Sequence, residues 1–220
     1  MKMPLKMSLK TEIIPLLFVV GAIVLAAVSY SALPDRVASH WNFQGVADGY
    51  SSKMFQTIFL PSLLLIMYVL FWVLPALDPK KENYTKFANT YHVIKALIIG
   101  TLTIVFAATT LANLGYNINI GKTIAAVIGI MMIIIGITMQ NLKDNWFVGV
   151  RTPWTMSSPT VWKKTHKLST YSFIIFGIII IIAPYLPMVL AGWLFLAGVA
   201  IAVLGPIVYS YLAYKQEKHK

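Results

Sequence analysis

From Leu168 to Tyr214 the chain reads LSTYSFIIFGIIIIIAPYLPMVLAGWLFLAGVAIAVLGPIVYSYLAY, 47 residues without a charged side chain. A helix needs roughly 20 apolar residues to cross the hydrocarbon of a bilayer, so this run holds two spans. Its natural break is Ala183-Pro184-Tyr185-Leu186-Pro187, where two prolines end one helix and start the next. Cutting the remainder at its charges gives four more runs: Ile13–Pro34 with 22 residues, Met54–Leu77 with 24, Ala96–Gly121 with 26 and Thr123–Leu142 with 20. The isoleucine run Ile178–Ile182 would favour a strand in water. In lipid each segment must satisfy its own backbone, and helix wins; the alternation of a barrel strand is also missing. The expectation is an all-α polytopic integral membrane protein with a single membrane domain over 1–220. Its six helices lie near 11–33, 55–77, 91–113, 121–142, 160–184 and 188–214, with an outer loop at 34–54 and an inner loop at 143–167.

Composition agrees. Of 220 residues 58% are hydrophobic and 11% charged, which excludes a soluble globular domain. With no cysteine, disulfides, cysteine-ligated metal centres and thiol nucleophiles are excluded together. The net charge of +11 is unevenly placed. With the N-terminus inside, the inner segments hold Lys2, Lys6, Lys10, Lys80, Lys81, Lys86, Lys143, Arg151, Lys163, Lys164, Lys167, Lys215, Lys218 and Lys220, and the outer ones only Arg36, Lys53 and Lys122. Lys95, early in the third helix, is expected to reach the inner surface by snorkelling. This asymmetry predicts that both termini are cytoplasmic. The charge then reflects orientation and attraction to anionic lipid, and direct nucleic-acid binding is not expected. A cleaved signal peptide with a small-residue site near Ala27-Val28-Ser29 competes for the first helix. The length of that span and its continuation into Leu33-Pro34-Asp35 favour a retained helix.

The membrane interior offers little chemistry. Glu12, His92 and Lys95 lie near helix ends, and the deepest polar side chains are Thr101, Thr103, Thr109 and Thr110, expected to bond to backbone or join helices. Gly129, Gly136, Gly192, Gly198 and Gly205 are expected to let helices approach closely. Helices one to three and four to six form halves of opposite orientation, as in inverted repeats, although their loops do not align. No catalytic constellation, phosphate loop or cofactor motif is present, so the chain is read as a non-enzyme without cofactor. His40 and Asp48 are the nearest thing to a metal pair, and two such residues in a loop do not define a site.

Two polar segments carry the remaining information. The outer one, LPDRVASHWNFQGVADGYSSK from Leu33 to Lys53, has turn signals at Gly45 and Asp48-Gly49 and a helix cap at Ser51 or Ser52. Trp41, Phe43 and Tyr50 in it suit either an interfacial belt or an aromatic platform for something arriving from outside. The inner one, KDNWFVGVRTPWTMSSPTVWKKTHK from Lys143 to Lys167, places Ser158 before Pro159 as cap and first residue of the fifth helix. Trp162 and His166 then share a helix face. Arg151 is one of two arginines beside 16 lysines, which suggests a guanidinium fork held for a specific partner.

The segment NWFVGVRTPWT at 145–155, followed by VWKKTHK at 161–167, resembles the signature of the SdpI-type family of bacterial membrane immunity proteins. The outer loop resembles the small N-terminal domain of unknown function found in the same family. The resemblance spans nearly the whole chain. It implies a multi-pass protein of the bacterial cytoplasmic membrane that protects a cell from a secreted membrane-active peptide toxin and, in signalling members, captures a cytoplasmic autorepressor at the membrane. Carried onto this chain, His40, Trp41, Asn42, Gly45 and Asp48 become candidates for toxin-side recognition. Asn145, Gly149, Arg151, Thr152, Pro153, Trp154, Trp162, Thr165 and His166 become the cytoplasmic signature where a repressor would dock. The alternative is a small transporter or exporter of a peptide or small molecule, which predicts a polar path across the membrane. An enzyme acting through His166 and Arg151 would need a nucleophile that the loop does not offer, and an assembly protein would not need the signature.

Overall fold

The computed structural model describes residues 3–6, 8–42 and 45–218. Lys2, Lys220 and Phe43, on which the sequence reading draws, lie outside the described residues. Six helical stretches are long and apolar enough to cross a membrane: Leu9–Ser29, Phe55–Leu77, Lys81–Asn113, Ile120–Met139, Pro159–Tyr185 and Met188–Lys218. The α-helices are α1 Leu9–Ser29, α2 Leu60–Leu77, α3 Ala88–Asn113, α4 Ile120–Met139, a short α5 Pro153–Ser157 between the fourth and fifth stretches, α6 Pro159–Ile182, α7 Met188–Val199 and α8 Gly205–Lys218. A π-helical turn, Phe55–Phe59, leads into α2, and another, Ala200–Leu204, joins α7 to α8. The proline pair ends the fifth span as expected: Ala183–Tyr185 is a 3-10 turn, and α7 begins at Met188.

The segment 34–54, expected outside, contains a β-hairpin, which turn signals alone did not reveal. Strand β1 Arg36–Trp41 pairs antiparallel with β2 Ala47–Ser52, with Ala38 opposite Tyr50 and Trp41 opposite Ala47. Ser52 Oγ then accepts from Phe55 N at 3.2 Å, which caps the turn into α2.

The described residues fall into two compact units. The hairpin unit comprises Met7–Trp72 and Lys95–Ile128; the signature unit comprises Met1–Lys6, Val73–Ile94 and Gly129–Lys220. Neither is one three-helix half of the chain. In the hairpin unit a core of Ala22, Ala26, Leu64 and Phe106 joins α1, α2 and α3. A methyl group on Gly100 would come within 2.8 Å of the Phe18 ring, so α1 and α3 touch where that glycine permits. Lys95 does not snorkel. It is 1% exposed and its Nζ lies 2.5 Å from Glu12 Oε1 on α1, while Tyr68 OH on α2 donates to Glu12 Oε2 at 2.8 Å. A long side chain reaches for the surface only when no counter-ion is nearer, and here Glu12 is nearer. One acid, one base and one phenol thereby bind the three helices of this unit together.

In the signature unit α4 and α6 meet backbone to backbone. A Cβ on Gly129 would lie 2.6 Å from Gly177 O, one on Gly177 2.5 Å from Gly129 O, and one on Gly136 2.9 Å from Thr170 O. Gly198 likewise admits the Phe176 ring, but Gly192 and Gly205 have no neighbour within 4 Å of an added Cβ, so the close-packing expectation fails at those two. Spacing alone cannot show which helix face meets another helix and which meets lipid.

Two predictions follow from these packings. Gly129→Val should destabilise the detergent-purified protein by about 1–3 kcal/mol or more, the cost of overpacking, while Gly192→Val should leave thermal unfolding unchanged; equal effects would show that α4 and α6 do not meet there. Lys95→Met should cost about 3–5 kcal/mol by stranding a buried carboxylate, and Glu12→Gln in the same chain should recover much of it. A double variant no more stable than Lys95→Met would mean that the two charges are not coupled.

Candidate functional site

The signature segment, residues 143–167, is built around side chains that replace missing backbone partners. Asn145 is fully buried. Its Nδ2 donates to Lys143 O at 2.8 Å and Val148 O at 2.9 Å, and its Oδ1 accepts from Phe147 N at 2.9 Å and Val148 N at 2.7 Å. A single amide thus folds the turn after α4. Asp78, 2% exposed just after α2, accepts from Trp146 N at 2.8 Å, Tyr84 OH at 2.9 Å and Lys80 N at 2.7 Å. Beside it Lys80 pairs with Asp144 at 2.7 Å, and Asn83 donates to Asp144 O at 2.9 Å. The sequence reading missed Asp78, Tyr84 and Asn83. The available signal was an acid directly after a span, in a connection that also holds Lys80, Lys81, Glu82 and Lys86.

Gly149 and His166 form the next layer. Gly149 has φ +115°, and a Cβ there would fall 2.4 Å from His166 Nε2, so both conformation and space require glycine. Val150 N donates to His166 Nε2 at 3.1 Å, which places the imidazole proton on Nδ1, where it is donated to Trp162 O at 2.8 Å. The imidazole stacks on the Trp162 ring with centroids 4.1 Å apart, and Trp162 Nε1 donates to Leu142 O at 2.9 Å. Both imidazole nitrogens are engaged, and neither has a free lone pair for a proton or a metal.

Thr152 caps α5, and its hydroxyl lies 2.9 Å from Ser210 Oγ on α8. Thr155 Oγ1 donates to Val150 O at 2.9 Å, and Trp154 packs against Tyr211 with ring centroids 5.2 Å apart. Ser158 caps α6, as expected. Thr165 is fully buried, and its hydroxyl makes no hydrogen bond among the described residues. The structure therefore divides the nine signature residues. Asn145, Thr152, Trp162, Thr165 and His166 are buried, Gly149 and Trp154 are half-buried, and only Arg151 and Pro153 are exposed. Arg151 Nη1 donates to Trp146 O, which fixes the guanidinium, and Trp146 itself is 53% exposed. The accessible face is Trp146, Arg151, Pro153 and Trp154.

At the hairpin, His40 Nδ1 and Asp48 Oδ1 lie 2.5 Å apart across the strands, both exposed. They serve each other, and no group of three or more metal-ligating side chains occurs among the described residues. Asn42 closes the hairpin end: its N–H donates to Val46 O and its Oδ1 accepts from Val46 N, both at 3.0 Å, with Gly45 at φ +76°. Trp41, Asn42 and Gly45 are half-buried. The aromatic platform is not one surface, since Trp41 lines a groove between α2 and α3 while Tyr50 is exposed beneath the Arg36 guanidinium, 5.8 Å away. Lys53 lies 2.8 Å from Asp35, holds its carboxyl below the usual carboxylate range, and is itself raised in turn. Sequence reading also missed Asn113 near the end of α3. Its Oδ1 accepts from Ala38 N at 2.8 Å and its Nδ2 donates to Ala38 O at 3.0 Å, so one amide stands in for a third strand and fixes the hairpin to the helix.

Gly149→Ala should therefore displace His166 and loosen the turn, costing about 1–3 kcal/mol. Arg151→Ala, at an exposed position, should leave thermal unfolding within about 0.5 kcal/mol. A large loss for Arg151→Ala would make the guanidinium part of the fold and not of a free surface.

Residues 141–210 match the SdpI/YfhL protein family, and residues 17–66 match a domain of unknown function, DUF1648. The chain is similar to Immunity protein SdpI of Bacillus subtilis (strain 168), at 27% identity over 210 residues that cover 96% of this chain and 97% of that protein. No solved structure matches. With six membrane-spanning helices beside that similarity, this is a multi-pass protein of the bacterial cytoplasmic membrane. The two matched domains lie in this order around the hairpin and the buried Asn145–His166 turn, and with the near full-length similarity they make the chain similar to the SdpI-type membrane immunity proteins.

Proposed function

We propose that this chain is an immunity protein that engages a secreted membrane-active peptide toxin from outside, through the hairpin and the helix ends beneath it, with both termini cytoplasmic. The observation that carries the reading is the similarity to an immunity protein along nearly the full length of both chains. The hairpin supports it, because strand pairing, the Asn113 clamp and the Asn42 turn hold His40, Trp41 and Asp48 in place before any ligand arrives. Preorganisation of this kind lowers the entropic cost of binding. The Lys and Arg asymmetry supports the orientation.

Repressor capture, where it occurs, uses Trp146, Arg151, Pro153 and Trp154, the accessible members of the signature. The buried members act by holding that face. Toxin binding signals only if it favours one of two arrangements of this region over the other. Similarity to an immunity protein argues for a non-enzyme. A transporter needs a polar path, and the buried Glu12, Lys95 and Tyr68 side chains are instead bonded to one another.

A sensitive bacterium expressing the chain should survive the toxin that the Bacillus subtilis relative neutralises, with its membrane potential retained. Trp41→Ala should lower the tolerated dose by about thirtyfold, the loss of one aromatic anchor worth about 2 kcal/mol. Arg151→Ala should preserve survival and abolish membrane recruitment of a repressor. Unprotected cells that contain the protein in their membranes would sink the immunity reading.

A further inference from the structure

We infer that the groove between α2 and α3 beneath Trp41 is a binding site for an apolar peptide segment that brings a hydrogen-bond donor; this rests on the immunity reading and assigns the membrane-inserted part of the toxin to that site. The groove has a volume of about 240 Å³ and is walled by Phe55, Leu63, Leu102 and Phe106, with Trp41 of the hairpin at its rim and Gln56 in its wall. Apart from the rim, these residues belong to membrane-spanning helices, so an occupant arrives from the hydrocarbon.

Gln56 decides what kind of occupant. It is 1% exposed, and its Nε2 donates to Thr109 Oγ1 and to Thr110 Oγ1, both at 3.0 Å. The Thr109 hydroxyl proton is committed to Phe106 O at 3.0 Å, so Thr109 can only accept from Gln56, which fixes which end of the amide is nitrogen. Both amide protons are then used. Oε1 is left with no donor among the described residues, in a side chain that lines the groove. An unmet amide acceptor in an apolar wall is unfavourable, and a donor that reaches it is held strongly. A lipid tail has no donor to offer. A peptide has them on its backbone and on residues such as tryptophan, and inside hydrocarbon its own unpaired N–H groups need acceptors equally.

The local backbone is arranged to keep this geometry. Gln56 sits in the π-helical turn Phe55–Phe59, a widened turn of a kind frequent at functional sites. The Asn113 clamp on Ala38 sets β1 so that Ser39 and Trp41 border the groove. Neither feature is needed merely to cross the membrane.

The test places a photo-reactive benzoylphenylalanine at Leu102, in the groove, or at Ile130 on α4 as a control. Membranes carrying the full chain are irradiated with the toxin neutralised by the Bacillus subtilis relative, and adducts are weighed. The expected result is a toxin adduct from position 102 and none from 130. Gln56→Leu should reduce the yield about tenfold, and Leu63→Trp, which fills the groove, should abolish it at unchanged membrane abundance. A protected cell whose position-102 adducts are phospholipid alone, or whose toxin adduct persists in Leu63→Trp, overturns the groove and leaves immunity standing. A cell that is not protected overturns both.

Discussion

Hydrocarbon offers no hydrogen bonds, and the buried polar side chains of the helical spans answer to that constraint. In and beside the spans, buried polar side chains are joined across elements: Glu12 with Lys95 and Tyr68, Gln56 through its Nε2 with Thr109 and Thr110, Ser210 with Thr152. Each set joins different elements, because a polar atom that cannot reach water must find its partner on another helix. These contacts specify which helices meet and in what register, where apolar packing against lipid-like surfaces would leave several arrangements close in energy. The glycine contact of α4 with α6 does the same by shape.

The same rule explains why the signature looks like a binding motif and is largely an architectural one. Its polar residues are costly to bury and are therefore tied to one another: Asn145 replaces backbone partners, His166 takes the N–H of Val150, and Asp78 reaches in from the end of α2. What this leaves accessible is small and aromatic, with one fixed guanidinium. A partner that reads this surface reads the state of the buried turn beneath it, which is a physical route for a conformational signal without a flexible loop.

At the hairpin the logic is inverted. A two-stranded hairpin alone is marginal in water. Here Asn113 supplies the third pairing edge, Val37 is fully buried, and the Lys53–Asp35 pair closes its base, so the loop is held as part of the helical unit. Rigid presentation of Trp41 above an apolar groove follows from these anchors.

The sequence by itself determined the number of spans, the break at the proline pair, the Ser158 cap before α6 and the threonine and glycine contacts in kind, since all are set by local composition and the dielectric of the bilayer. Tertiary structure alone decided the rest. Lys95 reads as a snorkelling residue until Glu12, 83 positions away, is brought to 2.5 Å. Asn113 reads as the end of a helix until Ala38, 75 positions away, turns it into a strand partner. Which signature residues are buried, which glycines face lipid, and that Gln56 borders a groove are matters of long-range pairing. A charge or an amide is equally expensive in hydrocarbon wherever it stands in the chain, and only the packed fold selects the partner that relieves it.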